Sequence, residues 1–179
     1  MSADAPAQHR SYAPKSIGCA VLTVSDSRTV EDDKSGNAIR ALLEAAGHRA
    51  VEHRIVPDSA ELIRFAVLRA LARSEVDAVI ATGGTGVSPR DVTPDTLEPL
   101  FEKRLPGFGE LFRMLSYHEI GAAAVLSRAT AGTVATKVIY VMPGSTGAVR
   151  LGMEKLVLPE IAHVIGQLRR TDTAPSGAA

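Results

Sequence analysis

Apolar positions fall along the chain in runs and stripes that announce its elements in turn. Ile17 to Val24 is a continuous apolar, β-branched run without alternation, the pattern of a strand covered on both faces. A polar stretch, Ser25 to Lys34, follows. From Ser35 the positions Ala38, Ile39, Leu42, Leu43 and Ala46 recur at helical spacing, with Gly47 as the stop. A second strand is expected at about Ala50 to Val56, and then a helix opened by Pro57-Asp58-Ser59 that carries Leu62, Ile63, Ala66, Val67, Ala70 and Leu71. The third strand, Val76 to Ala81, runs straight into T82-G-G-T-G-V-S-P-R-D91. Strand, helix, strand, helix, strand with short connections predicts parallel strands with right-handed crossovers: an α/β chain folded as a three-layer αβα sandwich with a mostly parallel sheet. Later signals predict a helix opened by Thr93-Pro94, a helix around Phe108 to Leu115, a strand at Val138 to Met142 and a final helix from Pro159 to Arg170. Pro94 and Pro159 suit the first helical position, where a missing N–H costs nothing. Residues 1–15 and 171–179 lack periodicity and predict mobile tails around one domain at 16–170.

A length of 179 residues suits about one domain. Apolar residues at 45% and charged ones at 22% exclude a wholly disordered chain. Twenty Lys and Arg balance twenty Asp and Glu, which removes the basic footprint of a nucleic-acid or anionic-membrane binder. The single cysteine, Cys19, allows no intrachain disulfide, and inside its apolar run it reads as an inert core thiol. No run approaches the roughly 20 apolar residues of a spanning helix, and the N-terminus lacks the apolar centre of a signal peptide. A cytoplasmic protein is expected.

Parallel sheets bind ligands at the carboxyl ends of their strands. Four segments follow strands there: Ser25 to Arg28, Pro57-Asp58, Thr82 to Asp91, and Pro143 to Thr146. Gly83, Gly84, Thr85 and Gly86 let backbone N–H groups approach a phosphate closely, or form only a tight turn. Neither common phosphate fingerprint is met, because Val87-Ser88 stands where a P-loop needs Lys-Ser, and Pro89 where a dinucleotide loop needs its third glycine. Asp91 could hold Mg²⁺ beside a bound polyphosphate, or be a turn residue before the Thr93-Pro94 helix. Asp58, three residues ahead of Glu61, has the spacing of a helix capping box. Ser25, Asp26 and Arg28 could touch a ligand or merely end a strand. Ser127-Arg128 could bind an anion or be a solvated pair. His9, His48, His53, His118 and His163 share no close spacing and no carboxylate partner pattern.

Taken in order, T23-V-S-D-S-R28, V56-P-D58, T82-G-G-T-G86, R90-D-V-T-P-D95, L105-P-G-F-G-E110, L126-S-R128 and M142-P-G-S145 resemble the MoaB/MogA family of molybdenum-cofactor biosynthesis proteins, and its MoaB branch most closely. The resemblance implies a molybdopterin-binding domain, usually trimeric and in the MoaB branch sometimes hexameric. Active members join the adenylyl group of Mg-ATP to the terminal phosphate of molybdopterin and release pyrophosphate. Carried over by motif, Asp58 and Asp91 would be the functional carboxylates and the holders of Mg²⁺. Ser25 and the loop Gly83, Gly84, Thr85 and Gly86 would bind substrate. Glu110, Ser116 and Ser127 would belong to the pterin and nucleotide sites, which Pro143, Gly144 and Ser145 would close. Arg90 or Arg128 would offset phosphate charge. The implied partners are molybdopterin, ATP, further copies of the chain and the downstream molybdate-inserting enzyme, with no nucleic acid and no membrane. The sequence departs from active relatives after the late Pro-Gly, where Ser145-Thr146 stands in place of a pair such as Asn-Pro. That leaves open a non-catalytic molybdopterin-binding or delivery protein of the same fold. A pyrophosphatase-like relative of the competence-damage proteins fits less well, since the chain stops soon after the core domain.

Overall fold

The computed structural model describes residues 13–170, so most of the expected N-terminal tail, with His9, and all of the expected C-terminal one lie outside the described residues. Four strands form the parallel heart of the sheet: β1 (Gly18–Val24), β2 (Arg49–Val56), β3 (Ala78–Thr82) and, later in the chain, β6 (Lys137–Met142). Between them run α1 (Lys34–Ala45) and α2 (Ala60–Leu71), and after β3 come α3 (Thr93–Leu97) and α4 (Pro106–Ile120). Two short strands, β4 (Lys103–Arg104) and β5 (Thr130–Val134), extend the sheet antiparallel, and α5 (Thr146–Gly152) and α6 (Leu158–Leu168) close the chain. The order across the six-stranded sheet is β2-β1-β3-β6-β5-β4.

The expected sandwich is what the chain forms, with strand faces divided by the pleat. Cys19, Val21, Ile80, Tyr140 and Met142 pack one way, under Ile39 and Leu43 of α1, Phe108 and Phe112 of α4, and Ile161 and Ile165 of α6. Ala20, Leu22, Val79, Ala81 and Val141 pack the other way, under Ile63 and Val67 of α2 and Leu97 of α3. Helices α1, α4, α5 and α6 thus cover one face, and α2 and α3 the other. Cys19 is fully buried, and burial above all pushes its thiol up to about 12, as suits a core residue. Among the described residues, no helix is long and apolar enough to cross a membrane.

Three elements carry no clear signal in sequence. β4 has two residues, β5 is the Gly- and Thr-containing TAGTV, and α5 has a glycine at each end of TGAVRLG. α4 also outruns the expected Phe108 to Leu115 at both ends. Its first turn holds Pro106 and Gly107, which read as breakers in sequence but lie where proline is tolerated.

Candidate functional site

The sheet brings the ends of β1, β3 and β6 side by side, and their loops lock together through groups that have no room for a side chain. Gly83, directly after β3, donates its N–H to Met142 O at 3.1 Å and has φ +105°, while Gly84 has φ +60°. A β-carbon on Gly83 would sit well inside 3.0 Å of the Val24 carbonyl oxygen, so only glycine passes there. A β-carbon on Gly144 would stand 3.2 Å from the Gly83 Cα. Thr82 Oγ1 donates to Pro143 O at 2.9 Å, and Gly144 O accepts from Ser35 Oγ at 2.7 Å and Arg28 Nη2 at 2.9 Å.

This junction floors a cavity of about 340 Å³, within the usual range of small-molecule sites. Gly83 to Gly86, Asp91, Ser116, Ser127 and Pro143 to Ser145 all line it. Phe112, Ile120 and Leu126 supply an apolar wall that sequence reasoning left unassigned, although their spacing on and just beyond an amphipathic helix was visible. Glu110 lies elsewhere. With Arg104 and Arg113 it lines a neighbouring cavity of about 630 Å³, and Ser127 lines both cavities. Ser25 lines neither; its Oγ accepts the Ser27 and Arg28 N–H groups at 3.3 Å each, turning the chain out of β1.

Asp58 reaches the glycine loop from the next strand along. The capping reading fails for it: the helix cap is Ser59, with no side-chain capping bond. The Asp58 carboxylate instead points at Gly84, with Oδ1 3.0 Å from where a β-carbon on that residue would be. Its N–H donates to Asp26 Oδ1 at 3.1 Å. Burial first, and then the Asp26 and Asp91 carboxylates, push its pKa above the ordinary value, against a lowering by Arg90. Arg90 is itself engaged in an ion pair with Asp26.

Asp91 fills the turn role considered for it and also stands at the cavity. Oδ2 accepts the Ser88 N–H at 2.9 Å, which closes the turn, while the carboxylate borders Gly86 and the cavity. Hydrogen bonds from Ser88, with lesser help from the Gly86 amide and Arg128, hold its pKa below the ordinary value in spite of burial. Arg128 is a brace rather than a free anion receptor. Nε donates to Gly86 O and Nη1 to Asp95 Oδ2, each at 2.7 Å, and Nη2 to Asp91 O.

Two histidines do have carboxylate partners, contrary to expectation. His53 Nε2 lies 2.9 Å from Asp33 Oδ2, and His163 Nδ1 lies 2.9 Å from Glu160 Oε2. The second pair stands three residues apart on one helix and was readable from spacing. The first joins β2 to the cap of α1, and only the fold makes it. Asp33, fully buried, also accepts from Thr23 Oγ1 and from the Gly36 N–H at 2.9 Å. Thr93 was likewise missed: its Oγ1 is buried without a hydrogen-bond partner among the described residues, against Gly84 and beside Asp58.

Asp58 and Asp91 offer hard carboxylate oxygens, both directed at the same glycine loop. Among the described residues, no group of three or more His, Cys, Asp and Glu side chains could hold a metal ion. This donor set fits Mg²⁺, which commonly takes one or two carboxylates and completes its shell with substrate phosphate oxygens and water.

A family model described as "Probable molybdopterin binding domain" matches residues 20–163. The chain is 49% identical over 164 residues to the molybdenum cofactor biosynthesis protein B of Bacillus cereus, covering 91% of this chain and 97% of that one. A crystal structure of a molybdenum cofactor biosynthesis protein B superposes with a TM-score of 0.86 at 50% identity, covering 89% of this chain and 99% of the other. The tungsten cofactor synthesizing protein MoaB from Pyrococcus furiosus superposes with a TM-score of 0.80 at 39% identity, over 88% and 100% of the two chains.

Proposed function

The chain belongs to the MoaB/MogA family, in its MoaB branch, and from that premise we propose that it acts in molybdenum cofactor biosynthesis by adenylylating molybdopterin with Mg-ATP, giving adenylyl-molybdopterin and pyrophosphate. The observation that carries this reading is the convergence of Asp58 and Asp91, from separate loops, on Gly84 and Gly86 of one glycine loop beside the cavity.

The terminal phosphate of molybdopterin attacks the α-phosphorus of ATP, a P–O bond forms, and the bond to the departing pyrophosphate breaks. The substrate brings its own nucleophile, so the chain's task is positioning and charge neutralisation. The unsubstituted backbone from Gly83 to Gly86 approaches phosphate oxygens closely, while Phe112, Ile120 and Leu126 form the apolar wall that a flat heterocycle packs against. Asp58 and Asp91 would hold Mg²⁺, which when bound offsets charge on the phosphates. Arg128 keeps the loop in place by holding the Gly86 and Asp91 carbonyls. The exposed belt of Leu111, Met114 and Tyr117 on α4 would be the face that contacts further copies of the chain in the oligomer the family resemblance implies.

The test is product formation from ATP, Mg²⁺ and molybdopterin. Asp91→Asn should lower it by about 10²–10³-fold, the scale of losing one electrostatic stabiliser; an unchanged rate removes Asp91 from the mechanism. Asp91's second engagement, in its own turn, favours one alternative, a carrier that binds the pterin alone. Calorimetric titration separates the two, since Mg-dependent ATP binding is required only of the enzyme.

A further inference from the structure

The loop after β6 is held by side chains that do not line the cavity it closes. Pro143 O accepts from Thr82 Oγ1 at 2.9 Å, and Gly144 O accepts twice, from Ser35 Oγ at 2.7 Å and from Arg28 Nη2 at 2.9 Å. Gly144 and Ser145 line the cavity, whereas Thr82, Ser35 and Arg28 do not. The described residues contain no cis peptide bond, so the Ser145 N–H stands opposite the Gly144 carbonyl across a planar peptide. With that carbonyl drawn back toward α1, the N–H is turned to the cavity side. We propose that Arg28 and Ser35 are positioning residues: they lock the Gly144–Ser145 peptide with its carbonyl outward, so that its N–H donates to a phosphate oxygen of the substrate. The proposal rests on the reading that this cavity takes phosphate-bearing substrates.

A lock is needed because the junction favours glycine at position 144. A β-carbon there would stand 3.2 Å from the Gly83 Cα, and a glycine leaves the peptides beside it free to turn over. Turned over, this one would present a carbonyl oxygen to the phosphate and exchange a hydrogen bond for a repulsion. Arg28 is itself held from behind. Its Nη1 lies 3.4 Å from Oδ1 of Asp33, whose side chain is fully buried, accepts the Gly36 N–H at 2.9 Å and stands 2.9 Å from His53 Nε2. Its backbone N–H donates to Ser25 Oγ at 3.3 Å, which gives Ser25 a place behind the site although it lines neither cavity. One guanidinium thus spans a buried carboxylate at the cap of α1 and a carbonyl 116 positions along the chain. A planar fork does this and a single ammonium does not.

Binding measured without turnover tests the lock, by calorimetry and by the amide resonance of Ser145 in the full chain. Inorganic pyrophosphate stands for the phosphates of the nucleotide, and molybdopterin supplies that of the pterin. In the wild type one of the two ligands should move the Ser145 amide proton downfield, and which one does so assigns the phosphate. Ser35→Ala and Arg28→Lys leave the net charge unaltered, yet each should weaken binding of that ligand. The two together should weaken it by about 10–100-fold, the scale of one hydrogen bond to a charged group, and abolish the Ser145 shift. A purely structural role would lower the melting temperature and leave Ser145 responding as in the wild type. If the double variant fails to fold, the single variants and the wild-type shift decide. Variants that bind like the wild type, or a wild type that takes up ligand while Ser145 stays unmoved, overturn the lock and leave the proposed function standing. A wild type that binds neither ligand overturns that function, and the lock with it.

Discussion

Alanine placed at two different glycines should move stability in opposite directions, for reasons that lie in the space around each. At Gly83 the backbone has φ +105°, and a β-carbon would collide with the Val24 carbonyl oxygen, a backbone atom in the middle of the sheet junction. Left-handed backbone costs an L-residue about 1–2 kcal/mol, and forcing atoms into a packed site about 1–3 kcal/mol more. The sum for Gly83→Ala is about 2–5 kcal/mol, and at about 2–4 °C per kcal/mol for a chain of this size the melting temperature falls by about 4–20 °C. Gly147, inside α5, has no atom within 4 Å of its β-carbon position. There alanine restricts only the unfolded chain and favours helix, so Gly147→Ala gains about 0.5–1 kcal/mol. Differential scanning calorimetry of both variants at neutral pH reads the contrast. A Gly83→Ala protein melting within 2 °C of wild type, on the measured scale of about 2–4 °C per kcal/mol, would refute the claim that this glycine is where β1 and β3 can meet.

Asp58→Asn should abolish adenylyl transfer yet leave the protein at least as stable as wild type at pH 7. A carboxyl whose folded pKa is raised stabilises the fold below the unfolded value of 3.8 and loses that contribution as pH rises through its folded value, so ionised Asp58 is a net cost at neutrality; melts at pH 4 and pH 7 should show the variant's advantage only at the higher pH. Asp33 has the opposite sign. Burial raises its pKa, but bonds from Gly36, Thr23 and His53 outweigh that and hold it below 3.8, so its stabilisation is present above that value and is lost as pH falls through the folded one. Asp33→Ala should cost about 1–3 kcal/mol for the buried donors left unpaired, with an acid-unfolding profile shallower than wild type in urea titrations below pH 4. Arg128→Lys cannot hold Gly86, Asp91 and Asp95 at once, and steady-state kinetics should show a raised KM for ATP with kcat less affected.

Much of the architecture can be read along the chain, because periodicity reports on which side of its own element each residue is buried. The unbroken run in β1, the stripe of α1 and the glycines directly after β3 were therefore legible, and so was the gathering of loops at one sheet edge, which follows from parallel strands with short crossovers. Residue contacts across elements are a different matter. His53 meets Asp33 across twenty positions and Arg128 meets Gly86 across forty-two, and no local spacing encodes either. Asp58 shows the limit most clearly: its spacing to Glu61 satisfied a capping pattern, yet the crossover from β2 aims its carboxylate at Gly84 and leaves Ser59 as the cap. The separation of Glu110 from the glycine-lined cavity, and the antiparallel β4 and β5 that build the far side of the sheet, likewise come from packing. Local pattern measures the burial of single elements, whereas a site is assembled from the ends of several, and their relative placement is set by how two apolar layers close on one sheet.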